Sequence, residues 1–501
     1  MRMIALIVTA MLSATMPGRA ADATIDETAC WFDPPQGLAA QCYEVVVPAF
    51  RAEESAERFT LPVAVIVKPG VDYTAVPVVF VQGGPGAATF REAYPESDMT
   101  GWWLETAASL IEGRAVVLFD ARGTGASVPS LDCPEANAQA READEPPGSD
   151  QPFFSRQSAA IAACRQRLDE AGVTVEAVST HAMADDIADI AAVLGYGQVD
   201  LWAFSFGTRV ALETIRRHPG LVHAAVLDST MGTGGHADED LPFMTWRSFD
   251  RLFTDCEAQD ACNRAFPELR QRFLSRLEQM NEEPERLIVV DVDRWGRGKS
   301  ILMSGDDLVF YIYDAFYVSE ALPYIPSLLE AGLDGDSTGF TMFYWYPYLA
   351  DWALAEGAFL TVWCREFVPF TDHEVVSREV LKYGVLGRAG AAIQTEPACD
   401  DWPVTPLAQD DPRPVEDDLP ILFINGAYDP ATPPEWAAEI ATHFPNSRHM
   451  IYPWAGHTPS GSDGCAREEA IAFLREASGQ TARRDPLCSQ DQAPPAFVIG
   501  R

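Results

Sequence analysis

Apolar and β-branched residues fall into short, nearly unbroken runs separated by stretches of helical spacing. LPVAVIV (61–67), VPVVFV (76–81), AVVLFD (115–120), VDLWAF (199–204) and AAVLDS (224–229) read as successive strands. Such runs lack the alternation of a sheet wetted on one face, which predicts a mostly parallel sheet covered by helices on both sides. Between 184 and 194, Ala184, Ile187, Ala188, Ile190, Ala191 and Leu194 recur at helical intervals, and Gly195 ends the pattern. GTRVALETIRRH (207–218) reads as a second helix, stopped by Pro219 and Gly220.

Two stretches break the alternation. Residues 133–175 include READEPPGSD (141–150) and read as a polar loop. From about Gly232 to residue 404 the chain turns aromatic and helical, as in MTWRSFDRLF and FPELRQRFLSRLEQM, before the acidic, proline-rich return LAQDDPRPVEDDLP (407–420). The expected organisation is one core in two parts, 21–232 and 405–501, with 233–404 inserted as a helical lid. There is no internal repeat.

Composition narrows the function. The 501 residues carry 74 Asp and Glu against 36 Lys and Arg, a formal charge of −38, so nucleic acid and anionic membrane are poor partners. Residues 1–20, MRMIALIVTAMLSATMPGRA, have the basic start, apolar middle and small-residue end of an export signal, and no later stretch reads as a membrane span. All ten cysteines lie beyond it. Pairing of sequence neighbours is expected: Cys30 with Cys42, Cys133 with Cys164, Cys256 with Cys262, Cys364 with Cys399, and Cys465 with Cys488. No CxxC or clustered Cys/His spacing suggests a metal, and no cofactor is implied. The oligomeric state is not written in the sequence.

Three residues that can do chemistry each follow a strand-like run. Ser205 lies in Ala203-Phe204-Ser205-Phe206-Gly207, with small residues two before and two after, as a sharp strand-to-helix turn requires. Asp429 follows LPILFINGAY and His457 follows HMIYPWAG. A serine, a histidine to take its proton and a carboxylate to orient the histidine form a nucleophilic site. Asp228, ending another strand, is the reserve acid. Gly335-Asp336-Ser337-Thr338-Gly339 also has the serine-turn spacing, but no buried strand precedes it and no suitable helix is expected after it. Gln82-Gly83-Gly84-Pro85-Gly86 closes a strand with bare backbone, so Gly83 and Gly84, with Phe206, are the expected oxyanion donors. Asp120-Ala121-Arg122-Gly123-Thr124-Gly125-Ala126-Ser127 reads as architectural, fixing loops beneath the site.

The order nucleophile, acid, histidine is that of the α/β-hydrolase fold. GGPG, D-x-R-G-x-G-x-S, and Ser-Phe-Gly-Thr-Arg leading into a helix that ends Arg-Arg-His-Pro resemble the proline iminopeptidase and tripeptidyl aminopeptidase branch of that fold. NGAYDPATPPEWA, WAGH and the last two cysteines are similar to the TAP-like carboxyl-terminal region of that group. Ala203 and Gln82 depart from the usual Gly and His, which sets the chain apart from the proline-specific members. The resemblance implies an exported serine peptidase acting at the free amino end of small peptides. It also implies that an acidic lid residue, Glu366, holds the substrate ammonium. An esterase or amidase for small hydrophobic esters is the alternative, with the run Phe343-Tyr344-Trp345-Tyr346 as a possible acyl wall. A non-catalytic binding protein is the third reading, disfavoured because all three reactive residues are present.

Overall fold

The computed structural model describes residues 23–51, 56–70, 76–90, 114–136, 158–234, 236–291, 297–343, 354–393, 396–407, 415–480 and 495–499, with Leu104, Thr106 and Leu110. The expected export signal, Cys488 and Tyr344-Trp345-Tyr346 lie outside the described residues.

Among the described residues, nine strands form one sheet. In chain order they are β1 (Thr24–Thr28), β2 (Ala39–Pro48), β3 (Arg58–Val67), β4 (Val78–Val81), β5 (Val116–Phe119), β6 (Val199–Phe204) and β7 (Val222–Asp228). β8 (Glu285–Asp291) and β9 (Arg297–Met303) make a separate antiparallel hairpin, and β10 (Ile421–Gly426) and β11 (Ser447–Tyr452) complete the main sheet. Its spatial order is β1-β2-β3-β5-β4-β6-β7-β10-β11. The pairs from β1 to β5 are antiparallel, and those from β5 to β11 are parallel.

Every residue of β4, β5, β6 and β10 is buried, which explains the absence of alternation in their sequences. One face packs a large cluster around Val117, Leu201, Ala211 and Phe423, and the other a cluster around Phe80, Trp202, Val226 and Leu474. Helices Thr180–Val193 and Phe206–Arg217 fall where the spacing places them. Ser179 caps the first, its Oγ accepting the Ala182 N–H at 3.2 Å.

Two expectations are corrected. The 133–175 region is not simply a loop, because Ser158–Glu170 is a helix whose Cys164 is disulfide-bonded to Cys133. A helix, Ser337–Phe343, does follow the second serine-turn match, although no buried strand precedes it.

Residues 233–404 divide in their packing. Helices Ala237–Ala258, Leu269–Glu282, Gly305–Ala315, Ile325–Leu333 and His373–Ala392, with the β8–β9 hairpin, surround a second core around Phe249, Phe273, Ile312 and Phe316. Phe343 is fully buried there, so that member of the aromatic run belongs to this second core. The helix Glu356–Glu366 instead packs Ala358, Leu360, Val362 and Cys364 against the main core.

Four disulfides join the couples 30–42, 133–164, 256–262 and 364–399. Cys465 is also disulfide-bonded. No described helix is long and apolar enough to cross a membrane. Cys364–Cys399 closes a 35-residue separation between the main-core helix and the short helix Glu396–Cys399, which precedes the return linker. Replacing both cysteines with alanine is expected to cost about 2–4 kcal/mol of stability, read as a lower urea midpoint relative to the unchanged protein.

Candidate active site

Ser205 sits between β6 and the helix Phe206–Arg217 with φ 53° and ψ −126°, a strained conformation for a residue with a side chain. Close packing holds the turn on both flanks. A Cβ at Gly83 would lie 2.8 Å from the Phe204 carbonyl oxygen and 2.9 Å from the Ser205 Cβ, while one at Gly207 would lie 2.7 Å from the Gln82 carbonyl oxygen. Only glycine fits at either position. The expected oxyanion turn is thus pressed against Ser205. Phe206 heads its helix, so its N–H has no acceptor within that helix.

Asp429 lies three residues past β10 and is fully buried. Its Oδ1 accepts the N–H groups of Ala431 (2.9 Å) and Thr432 (3.0 Å), and its Oδ2 accepts the hydroxyls of Ser229 and Thr432, both at 2.7 Å. His457 Nδ1 lies 2.9 and 2.8 Å from the two carboxylate oxygens. A carboxylate so placed only accepts, so Nδ1 carries the proton and Nε2 is left as the basic nitrogen. Burial alone would raise the Asp429 pKa. The His457 charge and hydrogen bond, with those from Ser229 and Thr432, outweigh it and hold the carboxyl below its ordinary value.

The histidine loop is threaded between the sheet and the lid. A Cβ at Gly456 would lie 2.6 Å from the Tyr317 carbonyl oxygen, which accounts for the small residue before His457. The His457 N–H donates to that same carbonyl (3.1 Å), the Gly456 N–H donates to Ser319 Oγ (3.0 Å), and the Tyr317 ring meets the imidazole edge-on at 4.8 Å.

Asp228 and Ser229, at the end of β7, tie the three segments together. The Ser205 N–H donates to the Asp228 carbonyl (2.9 Å), and Asp228 Oδ2 accepts the N–H of Ser460 (2.8 Å) and its hydroxyl. Ser229 Oγ donates to Asp429 and accepts the Thr458 N–H at 2.7 Å. The reserve acid therefore bonds to the histidine loop through Ser460, while the imidazole faces Asp429. Burial pushes the Asp228 carboxyl up to about 7, opposed by Ser460 and His457 and reinforced by Asp429.

Glu366 is placed differently from expectation. It accepts the Thr180 N–H (2.8 Å) and hydroxyl (2.5 Å) and an Arg209 N–H (3.3 Å), joining the nucleophile helix to the start of Thr180–Val193. Both oxygens are occupied inside the fold, so the substrate-ammonium role expected of Glu366 is not supported. The signal was Arg209 in the Ser-Phe-Gly-Thr-Arg run, a buried cation in need of a carboxylate. Asp120 and Arg122 are architectural. Asp120 accepts the N–H groups of Thr89 (2.7 Å) and Phe90 (2.9 Å) beyond the glycine turn, and Arg122 binds Asp186 and the carbonyls of Pro48, Ala49 and Ala177.

Sequence reasoning missed Asp314, in the helix Gly305–Ala315. It is half-buried. Its carboxylate has no hydrogen-bond partner among the described residues, and burial raises it to about 7. Neighbouring Tyr313 donates to the Pro430 carbonyl (2.8 Å), beside Asp429, and Tyr317 lies against His457.

Ser205, Asp429 and His457 each follow a parallel strand of the main sheet, in that chain order, and Asp228 and Ser229 bond to all three segments. The match to the alpha/beta hydrolase fold spans residues 76–461, and the chain belongs to that family. It is 24% identical over 431 residues to "Serine protease Hip1" of Mycobacterium tuberculosis and Mycobacterium bovis, covering 79% of this chain and 78% of theirs. Among solved structures it is similar to a proline iminopeptidase from Mycobacterium smegmatis (14% identity, TM-score 0.42, 87% of this chain and 98% of that one). A thermophilic esterase from Thermogutta terrifontis is also similar (17% identity, TM-score 0.35, 85% and 96%).

Two outcomes follow from the geometry. Ser229→Ala removes a hydroxyl bonded to a buried charge and is expected to lower kcat about tenfold or more, with the pH profile of kcat/KM showing whether the histidine has shifted. Asp228 has a raised folded pKa, so its contribution favours folding most below about 4 and is lost as pH rises to about 7. Asp228→Asn should therefore gain stability relative to the unchanged protein between those limits, measured as the difference in Tm across pH.

Proposed function

We propose that this chain is an exported serine peptidase that releases short peptides or single residues from the free amino end of peptides through an acyl-enzyme. The observation that carries the hydrolytic part is the buried Asp429–His457 pair, bonded through Ser229 and Asp228 to the strained turn of Ser205. In this reading His457 Nε2 takes the Ser205 proton as Oγ attacks the scissile carbonyl, and Asp429 stabilises the resulting imidazolium. The N–H groups of Phe206 and of Gly83 or Gly84 receive the oxyanion. His457 then returns the proton to the leaving amine, and water repeats the sequence on the acyl-enzyme.

The peptidase part is supported by the likeness to a protein named a serine protease. The amino-end preference is supported by Asp314, an unpaired carboxylate one residue from Tyr313 and three from Tyr317, where a substrate ammonium would find its counter-charge. Export is supported by the four disulfides, which belong to an oxidising compartment.

The test compares a tripeptide anilide bearing a free amine with its N-acetylated twin and a p-nitrophenyl ester. Preference for the free amine, lost by about a thousandfold or more in Ser205→Ala, is the expected result. Asp314→Asn should raise KM for the free-amine substrate about tenfold and leave the acetylated one unchanged. Turnover of the ester alone would make the protein an esterase, and retention of activity in Ser205→Ala would remove the serine mechanism.

A further inference from the structure

Gly83 is an expected oxyanion donor, and its N–H is already engaged. The side chain of Gln82 folds back so that Oε1 accepts the Gly83 N–H at 3.0 Å. An N–H only donates, so the atom facing it is the amide oxygen, and the Gln82 amide nitrogen points elsewhere. The contact is held in place from both sides. Gly83 is pressed against Ser205, and the Gln82 carbonyl is pressed against Gly207 at the head of the nucleophile helix, which pins the Gln82 backbone and leaves its carboxamide as the part that can move. Gln82 itself is only half-buried, so the carboxamide can swing toward solvent.

From this contact we propose that Gln82 caps the oxyanion site in the resting enzyme and is displaced as the oxyanion forms. The proposal rests on the reading of Ser205 as nucleophile and Gly83 as donor. A buried N–H without an acceptor is unfavourable, and the cap satisfies it until substrate arrives. A neutral amide oxygen competes on even terms with the neutral carbonyl of a bound substrate. It competes poorly with a tetrahedral oxyanion, because hydrogen bonds to an ionised acceptor are roughly twice as strong. The cap therefore weakens ground-state binding and yields to the transition state.

The test uses Gln82→Ala and Gln82→Glu, read by steady-state kinetics, by the inhibition constant of a peptidyl boronic acid that forms a tetrahedral adduct on serine, and by Tm. In Gln82→Ala the freed donor should lower KM and the boronate inhibition constant by about three- to tenfold, with kcat little changed. In Gln82→Glu a carboxylate would hold the same N–H more tightly and raise the boronate constant at least about tenfold at neutral pH, relative to the unchanged enzyme. Boronate binding that is unchanged or weaker in Gln82→Ala at an unaltered Tm would overturn the cap, weaker binding marking Gln82 as an oxyanion donor. If Gln82→Ala fails to fold, the direction of the Gln82→Glu effect decides in its place. An unchanged enzyme that takes neither boronate nor a fluorophosphonate label would remove the serine-hydrolase reading itself, an outcome separate from any effect of Gln82.

Discussion

The arrangement depends on one buried charge, the carboxylate of Asp429. An ionised carboxyl with no exposure is tolerated only when donors replace the water it has lost. Here five groups do so: two backbone N–H groups of its own loop, the hydroxyls of Ser229 and Thr432, and the imidazole of His457. Each donor comes from a segment that must itself be fixed. Satisfying the charge therefore also positions the histidine, and the same bonds that make burial bearable set the tautomer that leaves Nε2 basic.

The 233–404 region takes part in this fixation. His457 and Gly456 bond to the backbone and side chain of residues 317 and 319. Arg247 of the helix Ala237–Ala258 donates to the carbonyls of Asp429 (3.2 Å) and Ala427 (2.9 Å), and Tyr313 donates to that of Pro430. The glycine turn is joined to the same region, where the Ala355 N–H donates to the Gly86 carbonyl at 2.9 Å. The loops of Asp429 and His457 and the glycine turn at 83–86 all touch the 233–404 region, which thus helps to fix their positions.

Much of this was legible in the sequence, for a physical reason. Strands buried on both faces leave unbroken apolar runs, and VDLWAF coincides with β6 residue for residue. Strained or crowded backbone leaves glycines, as at Gly83, Gly207 and Gly456. What was not legible depends on partners distant in sequence. Glu366 reads as an acidic lid residue until Thr180 and Arg209, 186 and 157 positions away, take up its oxygens. Ser229 looks like a strand-end serine until Asp429, 200 positions on, accepts its proton.

The electrostatics of the site follow from how unequally its carboxyls are served. Asp429, with five donors, is held below its ordinary pKa. Asp228 is equally buried, but among the described residues only Ser460 donates to it and its Oδ1 has no partner, so burial prevails and the group rises to about 7. Asp314 has no donor among the described residues and rises to about 7 as well. Near neutrality the interior thus keeps a full negative charge where the histidine needs it and holds the other two carboxyls close to their titration points, which limits repulsion between like charges. A cation arriving beside Asp314 would favour its ionised form and release its proton, converting an unfavourably buried acid into a paired one.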